Sequence, residues 1–195
     1  MTERTYTSPN MDAPFLSPID EPSDPAIKQA YQNMKQYFGK VMTPARVFNS
    51  RMPPEFLQFY TQISTLDQKL ELPKETAMLI RQQVAKLNVC LFCIDSNRAA
   101  TIWASMNQAK FDALDEYQTS PLFNEAERAA LDYVTTITKE KKVDPRTFAK
   151  LLNHYSERQI CEIVYLVASE HIYNMTNIGL NIHSDMLCNI AQKKH

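Results

Sequence analysis

Apolar residues along the chain recur at helical spacing from Pro25 onward. Ile27, Ala30, Tyr31, Met34 and Phe38 fall at i, i+3, i+4, i+7 and i+11, behind an Asp24-Pro25 start and ahead of a stop at Gly39. Phe56, Phe59, Tyr60, Ile63 and Leu66 share a second face. A third helix starts near Pro73, aligns Ala77, Ile80, Val84 and Leu87, and delivers the chain to Cys90. A fourth begins inside the segment KLNVCLFCIDSNRAA, residues 86–100, and continues through Ala99, Ile102, Trp103 and Met106. Asn124 with Glu127 reads as a capping box ahead of Ala130, Leu131, Val134 and Ile137. DPRTFAKLLNHY gives a short helix, Ser156 with Gln159 caps a long one through Ile160, Ile163, Val164 and Val167, and a weaker helix follows NIHSD. The pattern predicts an all-α bundle of eight or nine helices over residues 25–195. Residues 1–24 break it: Pro9, Pro14, Pro18 and Pro22 among Ser, Thr and Asp predict an irregular N-terminal arm, disordered or wrapped on a neighbour.

Composition narrows this picture little. A chain of 195 residues, 44% hydrophobic and 22% charged, fits one globular domain, and two glycines in all fit poorly with a many-turned β-protein. A net charge of -1, with no dense basic run before the terminal KKH, leaves no electrostatic footprint for nucleic acid or an anionic membrane. No apolar stretch approaches the roughly 20 residues of a membrane helix, and the first ten residues lack the apolar region of a signal peptide. The expected location is the cytoplasm, where a Cys-x-x-Cys pair reads as redox-active or metal-binding before it reads as a structural staple.

Cys90 follows the third helix and Cys93 falls in the first turn of the fourth. A helix N-terminus favours thiolate over thiol and lowers a cysteine pKa from about 8.5 toward ~3.5–7.5. Residues at i and i+3 in mid-helix hold their Cβ atoms about 5–6 Å apart, against roughly 3.5–4.5 Å in a disulfide. The pair therefore closes only with Cys90 at or before the N-cap. Lys86 and Arg98 would stabilise a thiolate, and Asp95 would oppose one if it pointed inward. The competing reading is two small buried residues, the fate also expected of Cys161 in the core, with Cys188 structural or idle. A zinc site would need two more ligands, for which only the distant His183 and Cys188 offer themselves. With no Gly-rich phosphate loop, the expected chemistry needs no metal, flavin or nucleotide.

The stretch LPKETAMLIRQQVAKLNVCLFCIDSNRAA resembles the alkyl hydroperoxidase D-like and carboxymuconolactone decarboxylase family of small all-helical proteins. That family's redox branch carries Glu-x11-Cys-x-x-Cys-x3-His, with Asn two residues before the first Cys. Asn88, Cys90 and Cys93 stand in that register, and the specific likeness covers about residues 70–106. Met78 stands at the family's Glu position and Asn97 at its His position, so both ionisable members of the family's proton relay are replaced. By spacing, the substitutes are Glu75 and Gln82, near Met78 on its helix face, and Asn97, one turn after Cys93. Glu170 and His171 on the long late helix reach the site only through the fold or a neighbouring subunit.

The resemblance implies a thiol-dependent antioxidant oxidoreductase. Cys93 attacks a hydroperoxide or a partner disulfide, Cys90 resolves the product, and an external dithiol resets the pair. It also implies a homo-oligomer, a trimer or hexamer. Two other readings stand beside it: a carboxymuconolactone decarboxylase-like lyase, which needs neither cysteine, and a non-catalytic oligomeric binding protein that kept the fold.

Overall fold

The computed structural model describes residues 11–194, and these are helical with irregular connections. Ten α-helices follow one another: α1 (Pro25–Phe38), α2 (Thr43–Val47), α3 (Glu55–Asp67), α4 (Lys74–Leu87), α5 (Leu91–Trp103), α6 (Gln108–Asp112), α7 (Glu125–Glu140), α8 (Pro145–Leu152), α9 (Glu157–Gly179) and α10 (Leu187–Lys194). Periodicity predicted eight or nine, and α2 and α6 account for the surplus. Each has five residues, too few to display a 3.6-residue repeat.

Local chemistry sets the longer boundaries. Asp24 accepts from the N–H groups of Ala26 and Ile27 at 2.8 and 3.1 Å, Pro25 opens α1, and Gly39 closes it at φ +77°. Both expected capping boxes form, Asn124 with Glu127 on α7 and Ser156 with Gln159 on α9.

Helix α4 is the centre of the bundle. Every residue from Leu79 to Ala85 is buried, because α5, α7 and α9 cover it on different sides. Ile80 and Val84 join Ala130 and Val134 of α7, Leu151 of α8 and Ile163 of α9 in the largest core, while Leu79 meets Phe111, Leu114 and Leu131 on another side. Each such aliphatic side chain contributes about 1.5–3 kcal/mol on burial. A helix enclosed this way must satisfy its polar residues internally; Arg81 and Gln83 do so through side-chain partners, whereas Gln82 Oε1 is buried without one.

Residues 1–10, with the first part of the expected arm, lie outside the described residues. From residue 11 the arm is irregular and hydrogen-bonds back to its own chain: Phe15 N–H donates to Leu180 O at 3.0 Å and Ile19 N–H to Arg46 O at 2.8 Å. Among the described residues no helix is long and apolar enough to cross a membrane.

Candidate functional site

The cysteines are presented by the turn between α4 and α5. Cys90 N–H donates back to Ala85 O and Val89 N–H to Lys86 O, both at 3.0 Å, which closes α4 in a Schellman motif. The residue that must turn left-handed there is Val89, at φ +56°, where glycine is usual. A left-handed conformation costs a non-glycine residue roughly 1–2 kcal/mol, so the turn is strained where it aims the next residue. That residue is Cys90, the N-cap of α5, whose sulfur accepts from Cys93 N–H at 3.4 Å. Cys90 and Cys93 are joined as a disulfide with their Cα atoms 5.2 Å apart. They are 1% and 2% exposed and pack with Val47, Ala85, Leu187 and Ala191.

The two sulfurs are not equivalent. Cys93 borders a cavity of 860 Å³, and Cys90 does not. The cavity lies between α1 and α3 on one side and α4, α5 and α9 on the other, with walls that include Phe38, Tyr60, Met78, Phe92, Trp103 and Tyr173. Phe38 packs on Trp103 at 5.4 Å between centroids, and Tyr60 stacks on Tyr173 at 5.2 Å. Met78, at the position where the resemblance places a Glu, is part of this apolar lining.

Beside the aromatic wall runs a buried polar chain. Asn177 Nδ2 donates to Cys93 Sγ at 3.4 Å. Asn97, one turn beyond Cys93, donates to Glu170 Oε1 at 3.1 Å, and Asn174 donates to the same oxygen at 2.9 Å. Arg81 Nη1 donates to Glu170 Oε2 at 3.1 Å, while its Nη2 spans both oxygens of Asp67 at 2.9 and 2.8 Å. Asn88 Nδ2 donates to Asn174 Oδ1 at 2.8 Å, which ties the cysteine turn to α9. Burial pushes the Glu170 carboxyl above its usual range, against the opposing pull of Arg81 and the two amides. One guanidinium divided between two carboxylates cannot fully compensate the buried one.

Of the residues proposed from spacing, Cys93 and Asn97 border the cavity together, and α9 brings Glu170 to them. Glu75 and Gln82 are not among the cavity residues. Glu75 pairs with Lys110 at 2.7 Å, and Gln82 lines a separate recess behind α5. His171 is held by Val167 O and Lys141 and does not border the cavity. The charges closest to the cysteines in sequence also turn away: Lys86 pairs with Asp115, and Arg98 with Asp112. Asp95 accepts from Leu187 N–H at 2.8 Å and Cys188 N–H at 2.9 Å at the start of α10. Burial would push the Asp95 carboxyl up, but these two N–H groups hold it below the usual range. Cys188 donates its thiol to Asp95 O, and burial with that neighbour pushes the thiol up to about 12. Cys161, expected in the core, is exposed instead.

Arg81, Asp67 and Asn177 were not singled out from the sequence. The signals were there for two of them. Arg81 interrupts the Ala77, Ile80, Val84 stripe at i+4 from Ala77, and Glu170, Asn174 and Asn177 continue the buried face of Ile160, Ile163 and Val167 in polar residues.

No protein-family model matches the chain. The uncharacterized protein YnjA of Escherichia coli (strain K12) is 24% identical over 162 residues, 82% of this chain and 88% of its own. Among solved structures, a Cys-to-Ala variant of the debrominase Bmp8 in complex with 2,3,4-tribromopyrrole superposes with a TM-score of 0.77 at 20% identity, covering 92% of this chain and 96% of that one. An alkylhydroperoxidase AhpD core, an uncharacterized peroxidase-related protein from Ralstonia eutropha JMP134, gives 0.76 at 19%, covering 90% and 95%. With its helices and cysteine turn in hand, the chain has the AhpD-like fold.

Proposed function

We propose that the protein is a thiol-dependent oxidoreductase that reduces an apolar organic hydroperoxide through Cys90 and Cys93. One observation carries this reading: Cys93 borders an aromatic-walled cavity, while Cys90 sits behind it at the N-terminus of α5, already within bonding reach. The cavity's 860 Å³ falls within the roughly 300–1,000 Å³ of small-molecule sites.

In the proposed cycle, the Cys93 thiolate attacks the terminal oxygen of R–O–O–H, the O–O bond breaks, and the alkoxide leaves as ROH after taking a proton. Cys93 keeps the hydroxyl as a sulfenic acid. The Cys90 thiolate attacks that sulfur and expels hydroxide, which leaves as water, and the disulfide forms. An external dithiol then attacks Cys93, Cys90 departs as the thiolate, and the dithiol's second thiol attacks its own bridged sulfur, freeing the Cys93 thiolate and leaving a cyclic disulfide. The α5 N-terminus and the Cys93 N–H favour Cys90 as the leaving group, and Asn177 Nδ2 favours charge on Cys93. We set this cycle in a reducing cytoplasm that supplies the dithiol.

The test is turnover of cumene hydroperoxide with dithiothreitol as reductant, beside hydrogen peroxide as the small polar control. Faster consumption of the cumyl substrate, lost in Cys93→Ser, is expected. Turnover that ignores replacement of both cysteines would overturn the reading.

A second reading rests on the aromatic walls and on the likeness to the debrominase: reductive dehalogenation of a halogenated aromatic. The same two electrons suffice, since Ar–X and two thiols give Ar–H, a disulfide and HX. Halide release from 2,3,4-tribromopyrrole in the dithiothreitol assay distinguishes it.

A further inference from the structure

Two carboxylates and one cation border the cavity: Asp67 from α3, Glu170 from α9 and Arg81 from α4. The other ionisable groups lining it are Cys93 from α5 and the phenols of Tyr37, Tyr60 and Tyr173 from α1, α3 and α9, with Tyr165 behind, donating to Asp67. With both carboxylates ionised and Cys93 in the disulfide, the three charged groups sum to a single negative charge. They do not share Arg81 equally. Asp67 keeps a third of its side chain exposed and takes Nη2 on both oxygens, whereas Glu170 is 1% exposed and takes only Nη1.

Reduction would place a second negative charge, the Cys93 thiolate, one helical turn from the Asn97 that holds Glu170. A buried site resists two like charges, and a proton on one member of the pair relieves it. We infer that Glu170 is the proton partner of Cys93, taking up a proton when the disulfide is opened and Cys93 becomes a thiolate. This rests on the redox reading of the pair. With the external dithiol R(SH)₂, the step consumes the disulfide and the Glu170 carboxylate. It yields cyclic RS₂, the Cys90 thiol, the Cys93 thiolate and the Glu170 acid: two protons and one negative charge on each side.

The partners of Glu170 suit both of its states. An asparagine amide offers N–H to a carboxylate and, turned over, its carbonyl to a carboxylic acid; Asn97 is placed to do this at Oε1, while Asn174, fixed by Asn88, keeps its N–H on the same oxygen. A carboxylate that the resemblance expects on α4 is thus offered from α9, in a cavity that Met78 and Cys93 also border.

The experiment is an infrared difference spectrum of the full chain between disulfide and dithiothreitol-reduced forms, with thiolate absorbance followed against pH. A protonated-carboxyl band gained on reduction is expected in the wild type, absent in Glu170→Gln and in Cys93→Ser. With Cys90, Cys161 and Cys188 replaced by Ser, the Cys93 thiolate titration should run in two coupled steps with Glu170 present and in one with Glu170→Gln. A Cys93 thiolate forming without the carboxyl band overturns the inference and leaves the redox reading standing. A disulfide that dithiothreitol does not open overturns both. If Glu170→Gln does not fold, Asp67→Asn decides: a band that persists in it belongs to Glu170, the other carboxylate on the cavity, and a band lost in it overturns the inference.

Discussion

Helix α5 has two faces that use polar residues in opposite ways. Its front turns Cys93, Ser96, Asn97 and Trp103 to the cavity, and its back turns Ile94, Asp95 and Arg98 to α10 and the neighbouring recess. On the back each charge serves a structural partner: Asp95 caps α10, Arg98 holds Asp112, and Lys86 at the end of α4 holds Asp115. On the front the charges come from other helices, Arg81 on α4 and Glu170 on α9; Asn97 joins Glu170 to α5, and Asn177 on α9 meets the Cys93 sulfur. The charges flanking the cysteines in sequence are thus structural, and the packing of α4 and α9 against α5 brings the ionisable groups of the cavity together.

The contrast breaks most visibly at the cysteines. Cys93→Ser should abolish peroxide turnover, whereas Cys188→Ser on the back should leave it in place, as a coupled dithiol assay would read. Next comes Arg81→Ala, which strands Glu170 as an uncompensated buried charge and should lower unfolding free energy by roughly 3–5 kcal/mol in urea titration.

Asp95→Asn on the back should cost about 1–3 kcal/mol, because a carboxylate that serves two buried N–H groups becomes an amide with one acceptor. The pH sign follows from its lowered folded-state value. The Asp95 contribution is whole above the usual carboxylate value of about 3.9 and is lost as pH falls through the lowered one. Acid unfolding curves should therefore converge for the wild type and Asp95→Asn at low pH. The smallest effect belongs to Val89→Gly, which should gain roughly 0.5–1 kcal/mol by relieving the left-handed turn at φ +56°.

The sequence made the helices and the cysteine turn readable because their signals are local. Asp24, Gly39 and the two capping boxes act within one turn of their targets, and the position of Cys90 followed from where α4 loses its period. The polar chain was less readable. Glu75 and Gln82 lie near Met78 by spacing, yet α4 is enclosed on several sides, so a small rotation around its axis separates the cavity from the face that meets Lys110. Asn177 and Arg81 meet the site through contacts 84 and 89 residues apart in sequence, which no local period encodes.

The central claim, that Cys93 is the attacking sulfur and Cys90 its resolver, is tested most directly by trapping. Reduced Cys90→Ser would be treated briefly with stoichiometric cumene hydroperoxide and a sulfenic-acid reagent, then mapped by mass spectrometry beside Cys93→Ser. The account predicts the adduct on Cys93 in the first variant and none on Cys90 in the second. An adduct on Cys90, or free thiols in both at peroxide levels that oxidise the exposed Cys161, would contradict it.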